Sequence, residues 1–157
     1  MKLKGLQDED FVNYKKPAMF IGFPSCTWKC EKECGKRVCQ NGALATSPIK
    51  NIDINKIVNR YINKPITSAI VCGGLEPFDT WEDLYKLIFY FRQKTEDDII
   101  IYTGYYKEEK EKYINCLKQF SNIIIKYGRY IPGHEKHYDE ILGIYLASNN
   151  QYAERIS

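Results

Sequence analysis

The sequence lacks any apolar run able to cross a bilayer. Its longest uninterrupted stretches, such as Leu87–Phe91, are about five residues, against the ~20 that a spanning helix needs. The N-terminal MKLKGLQDED does not read as a secretory signal, because its two lysines are followed by acidic residues rather than an apolar segment. Neither charge sign dominates: 23 Lys and Arg interleave with 20 Asp and Glu, for a net charge of +3. That balance leaves no electrostatic footprint for nucleic acid. Internal repeats and low-complexity linkers are missing as well. These absences predict a cytoplasmic protein with neither a membrane nor a nucleic acid as partner. What is present is 157 residues, 44% hydrophobic and 27% charged, enough for one folded domain over residues 1–157 with a real core.

Short β-rich runs alternate with segments of helical period. Pro17–Phe23 reads as a strand that leads directly into a cysteine-rich loop. Asp53 then caps a helix whose Ile54, Ile57, Val58, Tyr61 and Ile62 share a face. Ile66–Cys72 is the next strand, closed by Gly73 and Gly74. Thr80 is placed to cap a second helix, with Glu82 and Asp83 in its first turn and a stripe of Leu84, Leu87, Ile88 and Phe91. Asp98–Tyr102 is a third strand, Lys107–Phe120 a third helix with a solvated KEEKEK face, and Asn122–Tyr127 a fourth strand. Ile141–Ala147 is a short fifth. Continuous apolar strands separated by helices predict an α/β fold of parallel strands with crossover helices. In such folds ligands gather at the C-terminal strand ends. Four segments converge there: the cysteine loop, Gly73–Pro77, Tyr102–Tyr105 and Gly128-Arg129.

Four of the six cysteines, Cys26, Cys30, Cys34 and Cys39, fall within fourteen residues. In a reducing compartment such clustering points to a metal site rather than to disulfides. The gaps are three, three and four residues, so no C-x-x-C knuckle of the zinc type exists, although four thiolates can still close around one zinc ion. A 4Fe-4S cluster on three of them would leave one iron open and one cysteine spare. Lys29, Lys32, Lys36 and Arg37 outnumber Glu31 and Glu33, which predicts thiolate over thiol at all four positions. Cys72, in an apolar strand, and Cys116, on an inward helix face, read as core residues, and His134 and His137 as exposed loop histidines.

Cys26-Thr-Trp-Lys-Cys30 after the first strand, Cys39-Gln40-Asn41, and Gly73-Gly74-Leu75-Glu76-Pro77 after the second resemble the radical S-adenosylmethionine superfamily. More closely, the chain is similar to the small activating proteins of anaerobic ribonucleotide reductase. That similarity runs from about Asn13 to Ile156 and includes Tyr102-Thr103-Gly104-Tyr105, Tyr127-Gly128-Arg129-Tyr130 and Ala147-Ser148-Asn149-Asn150-Gln151. Two departures stand out. The cluster motif usually has spacings of three and then two residues, so Cys34 falls one position late, and Leu75 interrupts the common Gly-Gly-Glu-Pro. The third ligand is assigned to Cys39, which follows a hydrophobic Val38 as in the family, with Cys34 as the alternative.

The resemblance implies a compact partial, open βα barrel. It implies a 4Fe-4S cluster on Cys26, Cys30 and Cys39, and S-adenosylmethionine held by Gly73, Gly74, Glu76, Thr103, Gly104 and Gly128. Taken alone, Gly73-Gly74 is a strand-ending turn, and Thr103-Gly104 a polar strand end. The implied activity is that of a radical oxidoreductase, fed by an external electron donor, which makes a glycyl radical on anaerobic ribonucleotide reductase. A chain this short has little room for a small substrate beside cluster and cofactor, which also favours a protein partner. Two alternatives stand: a radical enzyme acting on another peptide or small molecule, and a non-enzymatic zinc module built on all four clustered cysteines.

Overall fold

A computed structural model describes residues 1–157. The elements, in chain order, are β1 (Lys2–Leu3), β2 (Gly5–Asp10), β3 (Ala18–Phe23), α1 (Lys29–Cys34), α2 (Gly42–Thr46), β4 (Lys50–Asn51), α3 (Ile54–Ile62) and β5 (Ala69–Gly74). After a 3-10 turn at Pro77–Thr80 come α4 (Trp81–Arg92) and β6 (Asp98–Tyr102). A second 3-10 turn at Lys107–Glu109 precedes α5 (Glu111–Leu117), β7 (Ile123–Tyr127), β8 (His137–Asp139), β9 (Ile144–Leu146) and β10 (Tyr152–Arg155). No helix is long and apolar enough to cross a membrane.

The central sheet has six strands in the order β10-β7-β6-β5-β3-β2. Its four inner strands are parallel, in a register that sets Gly22 beside Gly73, Cys72 beside Ile101 and Tyr102 beside Lys126. Both edges are antiparallel: β2 returns along β3, and β10 along β7. The fold is therefore α/β with a mixed sheet, which corrects the all-parallel expectation. The two edges escape a pattern reading because each has a single neighbour and is half exposed, so β2 is as polar as GLQDED.

The inner strands are apolar on both faces for two reasons. On one face Met19, Ile21, Ile70, Cys72, Ile99, Ile101, Ile123 and Ile125 meet the stripes of α3, α4 and α5 in a core of 23 buried residues. On the other, Val71, Ile100 and Ile124 pack under Tyr14, Leu142 and Leu146. All three longer helices thus lie on one face, and the opposite face is left to loops, the cysteine segment and the β8–β9 hairpin. Asp98, at the start of β6, fastens this second layer: it accepts hydrogen bonds from Tyr14 Oη at 2.9 Å, Lys16 Nζ at 2.7 Å and Arg155 Nη2 at 2.7 Å.

Asp53 caps α3 as the sequence predicts, its carboxylate accepting the Asn55 N–H at 2.8 Å. Thr80 does not cap α4. Its hydroxyl donates to the Pro77 carbonyl within the preceding 3-10 turn, from which the helix is entered directly. The third predicted helix is shorter and broken. Glu109 folds back to accept the Tyr106 N–H at 2.8 Å, and Lys110 leaves helical geometry at φ −128°. Cys116 is exposed rather than inward, because α5 turns Ile114 and Leu117 to the core. The short fifth strand pairs with β8 in a separate hairpin, held by Asp139, whose carboxylate accepts from Leu142 and Ala153 N–H at 2.9 Å each. That hairpin makes His137 a half-buried strand residue, whereas His134 is exposed as expected.

Candidate functional site

β3 ends against Pro24, and the cysteine segment that follows is stitched to the neighbouring strand ends. The Ser25 carbonyl accepts the Glu76 N–H at 2.8 Å. The Thr27 N–H donates to Asp79 Oδ2 at 2.7 Å, and Tyr105 Oη donates to the other oxygen of Asp79 at 2.6 Å. Trp28 adopts a left-handed φ of 58°, strained for a residue with a side chain, and in that pose its N–H donates to Cys26 Sγ at 3.2 Å. α1 then begins at once and carries Cys30 and Cys34. The loop read from sequence is therefore two short helices, α1 and α2.

Leu44 of α2 pins the far arm of the segment. Its side chain fills a dimple floored by Gly5, Gly22 and Gly74, and a Cβ on Gly74 would lie 2.3 Å from Leu44 Cδ2. Gly74 also has φ +80°, so its conformation and its neighbour both exclude a side chain. A Cβ on Gly73 would come to 3.3 Å from Tyr102 Cβ.

Leu75 takes up the turn after Gly74 and leaves Glu76 pointing inward, 5% exposed. The Glu76 carboxylate accepts three hydrogen bonds: on Oε1 from Thr103 Oγ1 at 2.8 Å and Phe78 N at 3.2 Å, and on Oε2 from Gly104 N at 2.9 Å. These donors favour the charged form, yet burial outweighs them and pushes its pKa up to about 7. Gly104 lies between two groups, since a Cβ on it would sit 3.5 Å from Cys30 Sγ and 3.7 Å from Glu76 Oε2.

Gly128 closes the opposite side with φ +98°, its backbone pressed against Asn150 and Gln151. The two motifs at residues 127–130 and 147–151 meet here. Gln151 Nε2 donates to the Gly128 carbonyl at 3.1 Å, and Asn150 Nδ2 to the Arg129 carbonyl at 2.8 Å. Arg129, 3% exposed, reaches back to the cysteine segment. Its Nη2 donates to Glu109 Oε1 at 2.6 Å, its Nε lies 3.0 Å from Glu33 of α1, and its plane rests over Tyr106. Lys29 of α1 joins the same Glu109 oxygen at 2.6 Å, so part of the run at 107–112 is an ionic clamp rather than a solvated face.

The expected preference for thiolate is reversed at two positions. Burial pushes the Cys26 thiol up to about 12 and raises Cys30, while Lys29 is spent on Glu109. Weaker influences run the other way: the Trp28 N–H on Cys26, and the Tyr130 N–H with Arg129 and Lys126 on Cys30. A bound iron overrides burial by replacing the proton. The Trp28 N–H that donates to Cys26 Sγ is of the kind that supports metal-bound sulfur.

A cavity of about 380 Å³ opens between these segments on the sheet face away from the helices. Cys26, Cys30 and Cys39 line it, together with Gly74, Glu76, Thr103, Gly104 and Gly128; Cys34 and Gly73 do not. Cys30 is within electrostatic reach of both Cys26 and Cys39. No three His, Cys, Asp or Glu side chains are grouped as for a single metal ion. Cys26, Cys30 and Cys39 are the thiols that would hold a 4Fe-4S cluster here, whose iron would supply redox chemistry. Lys126, whose buried ammonium donates to the Gly128 carbonyl at 3.1 Å, is a lining residue that escapes the sequence reading. A lysine inside an otherwise apolar strand is the signal for it.

Neither a curated protein nor a solved structure matches the chain. A family described as the 4Fe-4S single cluster domain matches residues 18–151, from the first residue of β3 to the glutamine that closes the cavity. Three thiols lining one cavity, one of them accepting an N–H on its sulfur, agree with that description. The chain belongs to the 4Fe-4S single cluster domain family and is an iron-sulfur protein.

Proposed function

We propose that this protein is a radical S-adenosylmethionine activase, which binds its 4Fe-4S cluster through Cys26, Cys30 and Cys39 and generates a glycyl radical on a partner enzyme, an anaerobic ribonucleotide reductase. The observation that carries the proposal is the composition of the one cavity wall. Three cysteines, not four, line a space of about 380 Å³ that also holds Glu76, Thr103, Gly104 and Gly128. That volume is within the ~300–1,000 Å³ of small-molecule sites. Three thiolates leave one iron free for a ligand. The sheet with helices on one face and the cavity on the other supports the open-barrel reading.

Within that reading the chain's own residues have separate tasks. Gly104 lets backbone approach the ligand, while Gly74 makes room for Leu44 at the cavity's edge. Glu76 Oε2, which accepts one hydrogen bond, keeps acceptor capacity that would serve the ligand's ammonium, while Thr103 and Gly104 fix the carboxylate. A cluster held by these cysteines would supply one electron, taken from an external donor, for reductive cleavage of the sulfonium, the chemistry by which a hydrogen atom would be removed from the partner's glycine. The test is to reduce the reconstituted protein with dithionite in the presence of S-adenosylmethionine and to assay 5'-deoxyadenosine. Its formation, lost in Cys30→Ala, is expected; a cluster-loaded protein that forms none would overturn the proposal. The zinc-module alternative is disfavoured by the family.

A further inference from the structure

Lys126 is the one charged residue of β7. The alternation of the strand puts it on the face of Ile124, turned into the cavity, and it is 7% exposed. Its ammonium donates one hydrogen bond, to the Gly128 carbonyl, and forms no salt bridge. The contrast with Arg129 three positions on is informative, because that equally buried cation is met by Glu109 and Glu33. Cys30 and Glu76 line the same cavity, and each favours the charged ammonium of Lys126 when it is itself ionised. Glu76 is already occupied by Thr103, Phe78 and Gly104.

An unpaired ammonium taken out of water destabilises the fold that contains it. Within the chain the ammonium meets the Gly128 carbonyl and, at 5.9 Å, the face of the Tyr102 ring, neither of which carries a full negative charge, so the counter-charge comes with whatever binds at Cys30. A 4Fe-4S cluster on three cysteine thiolates carries net negative charge, and each added electron makes it more negative. A cation in the same low-dielectric wall stabilises the bound cluster, and stabilises its reduced form more than its oxidised form. We propose that Lys126 is the built-in counter-charge of the cluster, a buried ammonium beside Cys30 that slows cluster loss and raises the reduction potential. The inference rests on Cys30 being a cluster ligand and is independent of the S-adenosylmethionine reading.

The role carries a signature that packing alone does not produce: opposite effects on the empty and the loaded protein. Lys126→Met keeps the length of the side chain and removes the charge. In the apoprotein it is expected to raise the melting temperature. In the anaerobically reconstituted protein it is expected to release iron to a chelator several-fold faster and to shift the midpoint of an EPR-monitored dithionite titration to more negative potential. Lys126→Arg, which keeps the charge, should hold the potential near that of the wild type. Unchanged release and unchanged potential in Lys126→Met would overturn the proposal. So would a variant whose only defect is weaker binding of S-adenosylhomocysteine relative to 5'-methylthioadenosine, which would assign the ammonium to a ligand carboxylate. A Cys30→Ala control that retains its iron would instead overturn the ligand assignment beneath it.

Discussion

Leu44 occupies the space that a Cβ on Gly74 would need, with Cδ2 only 2.3 Å from that point. The leucine belongs to the arm just beyond Cys39 and the glycine ends the neighbouring strand, so the contact seats the cysteine segment on the sheet. Gly74→Ala combines a left-handed backbone penalty of roughly 1–2 kcal/mol with overpacking of roughly 1–3 kcal/mol. A loss of about 3 kcal/mol in urea unfolding is expected, together with poorer iron retention. Adding Leu44→Ala should relieve the clash, leaving the double variant less destabilised than the sum of the two single ones.

The cavity wall separates the two candidates for the third ligand. Cys39→Ala, like Cys26→Ala and Cys30→Ala, is expected to abolish the 4Fe-4S chromophore after anaerobic reconstitution. Cys34→Ala is expected to retain it, because that thiol does not face the cavity. Iron and sulfide content read the outcome directly, and the reverse pattern would move the ligand to Cys34.

Glu76 predicts a pH dependence. Its folded pKa, near 7, is raised above the ordinary value of 4.5, so the folded state binds the proton more tightly than the unfolded one. The stabilisation from that proton is complete below pH 4.5 and is lost as pH rises through about 7. A shift of this size is on the order of 3 kcal/mol at most. Unfolding midpoints of the apoprotein should fall between about pH 5 and about pH 7.5, and Glu76→Gln, which cannot titrate, should flatten that slope.

Arg129 holds α1 through Glu33 and shares Glu109 with Lys29. Arg129→Met leaves two glutamates that are partly exposed and can regain water, so the loss should be roughly 1–2 kcal/mol rather than that of a fully buried pair. Without the Arg129 guanidinium, the first cause of its depression to about 2, the Glu109 carboxyl should titrate higher. Carboxylate NMR titration of wild type and variant checks this.

The inner framework was legible because its signals are local and repeated. Asp98–Tyr102 has the bounds that its isoleucine run predicts, and α3 starts at the Asp53 cap. The convergence of strand ends followed from topology alone, and it placed Cys26, Glu76, Thr103 and Gly128 around one space. What escaped depends on contacts distant in sequence. The acidic β2 is a strand only because β3 offers it an edge, and Cys116 is exposed by a rotation of α5 that Ile114 and Leu117 decide. Thiol chemistry was misjudged because a count of nearby lysines ignores burial and ignores Glu109, which takes Lys29 away. Leu75, which interrupts the glycine motif in the sequence, is absorbed in the turn after Gly74 and leaves Glu76 in place.

The central claim is a cluster with one iron open to S-adenosylmethionine. It is tested most directly by metal analysis of the anaerobically reconstituted protein, combined with EPR of the reduced state before and after addition of S-adenosylmethionine. The account predicts about four irons per chain and a spectrum altered by the cofactor. A full cluster whose spectrum is indifferent to S-adenosylmethionine would contradict it.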